Sequence, residues 1–308
     1  MLEYLNSLPG AIALGLIWTI MALGVYITYK VLNVADLTVD GSFVTGAIVA
    51  AVLITNGIPF YVALLVAFAA GAICGLLTGL LHTLLGIPAI LAGILTQMAL
   101  WSINLVISTG RSNISVAAMS YEVLFSQGNV VDALWKIGII VVFFIVLLYV
   151  FFGTELGESI RETGNNQEMS RAQGINTKFN IVLGLMISNA LVALSGALLA
   201  QYQGYADINM GKGAIVIGLC AVVIGTAIVS KISQNFMVRL FGAAVGGLIY
   251  YIIFQTVVFI GVDTNLLKML AAVIVVLFLG IPYVKKNYGD KIKKHFKNKK
   301  IVNGGSES

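Results

Sequence analysis

ADLTVDGS, from Ala35 to Ser42, and ADINMGKG, from Ala206 to Gly213, each set a short polar stretch between long apolar runs. They stand out because the rest of the chain offers so little polarity: of 308 residues, 59% are hydrophobic and only 10% charged. A soluble domain carries about a quarter charged residues, so this composition excludes an ordinary soluble enzyme and points to a membrane-embedded helical protein. Backbone that leaves the helix at membrane depth must be buried in protein or line a cavity, since unpaired peptide groups in lipid cost several kcal/mol. The two stretches are therefore either broken-helix segments lining a pathway or interfacial turns in which an Asp caps the next helix.

Working outward, crossing a bilayer needs about 20 apolar residues, and nine such windows occur, near 10–30, 41–56, 60–82, 88–108, 135–152, 179–202, 211–230, 236–260 and 264–284. Eight lysines crowd between Lys285 and Lys300 against the single acid Asp290, which leaves this tail at +7 and the remainder of the chain at −2. With the tail placed in the cytoplasm, Lys30, Arg161, Arg171, Lys178, Lys231 and Arg239 fall on the same side, and only Arg111, Lys136, Lys212 and Lys268 fall outside. That division, 14 against 4, is the positive-inside bias of a correctly oriented chain and puts the N-terminus outside. The positive charge marks membrane orientation and headgroup contact, not a nucleic-acid partner. Met1 to Asn6 lacks the basic start of a cleavable signal. Cys74 and Cys220 lie in apolar runs with no CxxC spacing and read as small packing residues.

The two polar stretches belong to a wider self-similarity. At an offset of 171 residues Ala35-Asp36 recurs as Ala206-Asp207, and Gly71-Ala72-x-x-Gly75 recurs as Gly242-Ala243-x-x-Gly246. One gap brings Gly41 onto Gly213 and Gly46 onto Gly218. Glycine-rich apolar sequence produces such coincidences readily, but here topology adds to them. By the orientation above, Asp36 lies at the cytoplasmic side and Asp207 at the external side. Residues 10–108 and 179–284 are thus expected to be inverted repeats joined by the span at 135–152, an organisation found where two halves rock around a pathway. Asp36, Thr38, Asp40, Ser42, Asp207 and Asn209 are candidate pathway residues, with Gln97, Asn104 and Asn189 as polar groups inside spans; such amides also simply hydrogen-bond between helices. Gly71, Gly75 and Gly79, with Gly242 and Gly246, have the four-residue spacing that lets helix backbones approach.

Enzymatic chemistry has little raw material. Gly211-Lys212 does not complete a phosphate loop, and His82 and His295 are the only histidines. A catalytic dyad or metal site is not expected, and neither is a cofactor held by this chain. A carrier without its own ATPase is either ion-coupled or driven by a separate subunit. Ion-coupled carriers bury acids or histidines in mid-span, whereas the acids here lie near span ends or in loops. The cytoplasmic loop 153–178 is the most polar part of the body and offers a docking element instead.

Within that loop, TGNNQEMSRAQGIN (Thr163 to Asn176) resembles the cytoplasmic signature of ABC importer permeases of the branched-chain amino acid, ribose and nucleoside type. Asn165 or Asn166 can cap a short helix over Gln167–Gln173, Gly174 can end it, and Glu168 and Arg171 sit three apart on one face. Two further blocks carry the likeness: LNVADLTVDGSFVTGA (Leu32 to Ala47), and ALSGALLAQYQG with GKGAIVIGLCAVVIG (Ala193 to Gly225). DLTVDGSF is similar to a subgroup associated with aromatic amino acids and a lipoprotein-type binding protein. The chain departs from the family at Gly225-Thr226, where Gly-Gly is common, and in lacking the additional first span of ribose-type members.

The resemblance implies an all-helical permease subunit of about nine spans. Residues 1–284 form the membrane domain and 285–308 a basic tail. Asn165, Asn166, Gln167, Glu168, Met169, Ser170, Arg171 and Gly174 form the element that couples to the ATPase. It further implies two ATPase copies that bind ATP and Mg, an external substrate-binding lipoprotein, and a second copy of the chain. The function implied is import of a small solute of the amino-acid class, without catalysis by this subunit.

Overall fold

The computed structural model describes residues 2–117, 121–229 and 235–260, together with 266, 269, 272–273, 276–277 and 280. The chain divides into a main unit, Met1–Gly261, and a second unit, Val262–Ser308, so the span window at 264–284 and the lysine tail lie almost wholly outside the described residues.

The main unit is helical throughout its membrane part: α1 (Leu2–Tyr26) continues as a π-helical turn (Ile27–Val31), then come α2 (Val39–Thr55), α3 (Phe60–Thr83) and α4 (Ala89–Ile107). A three-residue strand β1 (Asn113–Ser115) precedes α5 (Val130–Phe152), α6 (Glu155–Asn165), α7 (Gln167–Ala172) and α8 (Thr177–Gln203). Strand β2 (Tyr205–Asp207), α9 (Ala214–Val229) and α10 (Phe236–Phe259) complete it. Six of these helices, α1, α3, α4, α5, α8 and α10, are long and apolar enough to cross a membrane. The windows expected at 41–56 and 211–230 are apolar helices of only 17 and 16 residues, α2 and α9. α2 begins inside the first of the polar stretches quoted above, at Val39, and α9 directly after the second, at Ala214.

Sequence accounts for the sharp turns on either side of α3. Gly-Ile-Pro occurs at Gly57–Pro59 and again at Gly86–Pro88; both glycines are left-handed (φ +80° and +69°), and each proline, already in extended conformation, immediately precedes a helix. Glycine adopts that backbone without a Cβ penalty, and a following proline has no N–H to leave unpaired at the helix start.

The membrane part is helical as expected, and its connecting loops add one short strand pair. β1 and β2 pair antiparallel, with Ile114 opposite Ala206, and Val116 N–H donates to the Gly204 carbonyl. The loop after α4 thus gains its order by strand addition to the chain leaving α8. Among the described residues of 109–129 there is no helix. Leu124 N–H donates to Gln201 Oε1, and Lys136 Nζ reaches the Leu124 carbonyl while pairing with Asp132 at 2.7 Å.

α1 and α8 form the centre: 78% of each is buried, against 28% for α4 and 22% for α5, whose apolar faces remain for lipid or another chain. α3 packs along α8 and α10 packs along α1. Small hydroxyl side chains bond across these contacts, Ser188 Oγ to the Gly24 carbonyl, Ser195 Oγ to Ile17 and Thr19 Oγ1 to Ala244. A buried hydroxyl so placed keeps its donor satisfied while letting the backbones come close.

Candidate functional site

The first polar stretch folds into a closed network. After the π-helical turn the backbone leaves the helix, and Asp36 Oδ1 accepts from Thr38 N–H at 2.9 Å. Its other oxygen accepts from Asn189 Nδ2 at 2.7 Å, and Asn189 Oδ1 in turn accepts from Ser42 Oγ at 2.6 Å. Thr38 Oγ1 meets Thr78 Oγ1 of α3. Asp36, Thr38, Ser42 and Asn189 are all buried, so these four candidates lock the start of α2 to α8 and do not line the cavity described below. Replacing Asn189 by alanine would leave the Asp36 carboxylate with one donor fewer inside the protein. The expected cost is about 2–4 kcal/mol in thermal or denaturant unfolding of the purified protein, and a loss under about 0.5 kcal/mol would contradict the network's role.

Asp207 makes the same local turn as Asp36, Oδ1 accepting from Asn209 N–H at 2.7 Å, but at a half-exposed position, the last residue of β2. The chain then runs through Ile208 to Gly213, whose φ of +86° sets the direction into α9.

Here the two polar stretches meet. Asp40, in the first turn of α2, accepts from Gly213 N–H at 2.9 Å and from Ile215 N–H at 2.8 Å. One carboxylate therefore satisfies donors at the N-terminus of α9 while sitting at the N-terminus of its own helix. Both helix ends carry partial positive charge, and an anion between them is held by each. Gly211 lies so close to the Asp40 carbonyl that a Cβ would collide with it.

A cavity of about 320 Å³ opens beside this junction between α2, α4 and the start of α9. Asp40 and Lys212 bring opposite charges to it, Gln97 and Asn104 bring amides, and Trp101 and Met98 add apolar surface. Asn104 is 1% exposed, yet neither its oxygen nor its nitrogen has a hydrogen-bond partner among the described residues. A buried amide left unpaired costs about 1–3 kcal/mol. Gln97 and Asn104 were legible in sequence as polar residues in an apolar run. Lys212 and Trp101 were not singled out, because their relation to Asp40 arises only when residues far apart in sequence fold together.

The polar segment 153–178, expected from the sequence to be a docking element, is ordered by local caps and turns. Asn166 caps α7, its Oδ1 accepting from Glu168 and Met169 N–H, both at 3.1 Å, and Gly174 leaves the helix at φ +84°. The helix closes at Ala172, one residue before the expected end. Arg171 Nε donates to Thr177 Oγ1 at 2.9 Å instead of pairing with Glu168; Glu168 and Met169 are exposed and Gln167 is half-exposed beside them. Ser170 faces inward and donates to the Asn166 carbonyl. α6 anchors this short helix: Asn180 of α8 donates to Thr163 at 2.9 Å, and Gly164 sits against the Val31–Leu32 backbone with no room for a Cβ. Asn165 lies at the end of α6, exposed.

The glycines of the four-residue pattern lie at helix crossings. Gly71 abuts Asn189 and Ala193, Gly75 abuts Leu185 and Met186, and Gly79 abuts Val182, so α3 descends α8 one turn at a time in the antiparallel sense. Gly242 and Gly246 of α10 lie on α9, against Val229 and Ala221, each also close to Gly225. Thr226, where the sequence departs from Gly-Gly, bonds back to Val223 in its own helix.

Comparison with known proteins places this architecture. Residues 8–279 match the family described as the permease component of branched-chain amino acid transport systems. The tyrosine transport system permease protein of Clostridioides difficile (strain R20291) is 40% identical over 264 residues, covering 86% of this chain and 87% of the relative. A fructose import permease of Bifidobacterium longum (strain NCC 2705) is 28% identical over 246 residues, 78% of this chain and 67% of the relative. An inner membrane ABC transporter permease of Escherichia coli (strain K12) is 25% identical over 256 residues, 79% and 72%. No solved structure matches the chain. With a family match across nearly the whole chain and apolar helices of membrane-crossing length, the protein belongs to the branched-chain amino acid permease family, the multi-pass cell-membrane permease subunits of ABC transporters.

Proposed function

We propose that this subunit forms the translocation pathway of an ABC importer for a small solute, an amino acid, with aromatic amino acids first. The observation that carries the reading is the cavity in which Asp40, Lys212, Gln97 and Asn104 stand beside Trp101. A free amino acid presents an ammonium, a carboxylate and a side chain. Opposite charges separated by amides give its two ends partners, and an indole face suits an aromatic ring or a cation. The name of the Clostridioides difficile relative, a tyrosine permease, supports the same class.

In this reading two copies of the chain associate beneath an external substrate-binding lipoprotein and above two ATPase subunits, which bind ATP and Mg. Residues 1–284 are the membrane domain of nine spans, N-terminus outside and tail 285–308 in the cytoplasm. The exchange of partners, α3 on α8 and α10 on α1, and the shared turns of Asp36 and Asp207 support inverted repeats over 10–108 and 179–284 around the 135–152 connector. α6 and α7 dock on the ATPase. Their anchorage to α8 and to the extension of α1, the two central helices, gives closure of the ATPase pair a rigid route into the pathway.

Reconstitution of the subunit with its ATPase and binding protein tests the substrate reading, by ATP-dependent uptake of labelled tyrosine. Asn104→Leu, which removes two unpaired polar atoms from a buried site, is expected to keep or raise thermal stability by about 1 kcal/mol while lowering uptake at least about tenfold. Unchanged uptake would remove Asn104 from the pathway, and uptake by the subunit alone on an ion gradient would replace the ABC reading with an ion-coupled carrier. Glu168→Lys addresses docking without disturbing the bond between Arg171 and Thr177. The expected result is a normal melting temperature with transport-linked ATP hydrolysis down about tenfold, a loss of about 1.4 kcal/mol in coupling; hydrolysis at the parent rate would move the docking site elsewhere.

A further inference from the structure

At the end of the helix bundle that carries α6 and α7, a second cavity of about 490 Å³ opens among the π-helical turn, α6 and α10. Three cations from three separate elements line it, Lys30, Arg161 and Arg239, with Glu162 as the sole acid among the lining residues. The balance is two positive charges in a recess. None of the three cations forms an ion pair among the described residues; Arg161 lies 4.9 Å over the Phe236 ring and Lys30 5.1 Å over Tyr29, while Arg239 has no such support. Tyr26 and Tyr29 add hydroxyls, and the aromatic side chains sit where α1 and α10 reach their ends, the level at which tyrosine meets the membrane–water interface.

All three cations are solvent-exposed, so water screens their mutual repulsion, but together they leave the recess with a positive potential that attracts an anion. We infer that this cavity binds the phosphodiester headgroup of an anionic phospholipid, seated against the element that docks on the ATPase. A phosphate accepts from guanidinium groups in paired geometry and from an ammonium and tyrosine hydroxyls at once. A basic recess between membrane helices at headgroup depth is the setting in which such lipids are recognised. An acidic side chain from the ATPase is the competing occupant. The recess favours the lipid because two of its three walls are the ends of membrane helices, and Tyr26 on them is almost fully buried. The assignment of this end to the cytoplasmic leaflet rests on the orientation proposed above, but the site itself does not.

The test uses the full-length chain purified in detergent, titrated with short-chain phosphatidylglycerol, with phosphatidylcholine of equal chain length, and with inorganic phosphate, following thermal unfolding. Phosphatidylglycerol is expected to raise the melting temperature, phosphatidylcholine not to. The double variant Lys30→Gln/Arg239→Gln leaves Arg161 on Phe236 and brings the recess to neutrality. It is expected to weaken the apparent phosphatidylglycerol affinity at least about tenfold. Arg239→Lys should retain most of the effect. Equal stabilisation by both lipids, or by phosphate alone, would overturn the lipid assignment, as would a variant that binds phosphatidylglycerol normally while losing the ATPase. Should the double variant fail to fold, native mass spectrometry of the parent supplies the decision: selective retention of phosphatidylglycerol supports the site, and equal retention of both lipids overturns it.

Discussion

Replacing Asp40 by alanine is expected to reduce ATP-driven solute uptake by about a hundredfold, with the protein still inserted in the membrane. The carboxylate accepts from Gly213 and Ile215 at the start of α9 while lying in the first turn of α2, and it lines the cavity beside Lys212. Each charge-assisted bond of this kind contributes about 1.5–3 kcal/mol, and a loss near 3 kcal/mol corresponds to about two orders of magnitude in the population of the joined state. Two effects add in the same direction. The α9 N-terminus loses its acceptors, and Lys212 loses the opposite charge in the cavity. Asp40→Asn separates them, since an amide oxygen still accepts from one N–H but brings no charge; uptake intermediate between parent and alanine is the expected order. The measurement is initial uptake rate in proteoliposomes, with thermal unfolding as the control for global stability. Parent-level uptake by Asp40→Ala would show that the junction of the two polar stretches is incidental to transport.

The second large effect concerns assembly. Gly75 stands where α3 crosses α8, with the Leu185 carbonyl and the Met186 Cα, at 2.8 Å from an added Cβ, filling the space a side chain would need. The obstacle is backbone on one of the two most buried helices, which gives way less readily than a side chain. Gly75→Leu is therefore expected to exceed the usual overpacking cost of about 1–3 kcal/mol and to abolish recovery of folded protein from detergent extracts, measured by size-exclusion chromatography. Gly138→Leu is the internal control: nothing lies within 4 Å of its added Cβ, on a helix that is mostly exposed, and folded yield should be unchanged. Equal yields for the two variants would mean that α3 and α8 do not meet as described.

Much of this architecture is written along the chain. The apolar windows at 60–82, 88–108 and 236–260 coincide within one residue at each end with Phe60–Thr83, Ala89–Ile107 and Phe236–Phe259. The reason is that in lipid every backbone group must be bonded within its own helix, so a span can end only where polar side chains, glycine or proline permit it. The α7 element was similarly legible: Asn166 at one end and Gly174 at the other are local devices, acting within three residues of the backbone they satisfy. Arg171 was read less well. Three-residue spacing put it beside Glu168, but the loop that follows α7 brings Thr177 closer.

What the sequence by itself determined, then, is where helices run, where they break, and which end of each loop carries charge, because these depend on local hydrogen bonding and on the bilayer as solvent. Only the tertiary structure decided what the polar groups in those helices do. Asn189 and Asn104 are both amides in apolar runs and look alike in the sequence, yet one is bonded to Asp36 and Ser42 and the other has no partner beside a cavity. Asp36 and Asp40, four residues apart, are turned to opposite tasks, one sealed against α8 and the other reaching 173 residues along the chain to Gly213. Helices that are apolar all round carry too weak an amphipathic signal to say which face meets which neighbour. That choice is made by close packing at the glycine crossings, and it is there that the cavities acquire their charges.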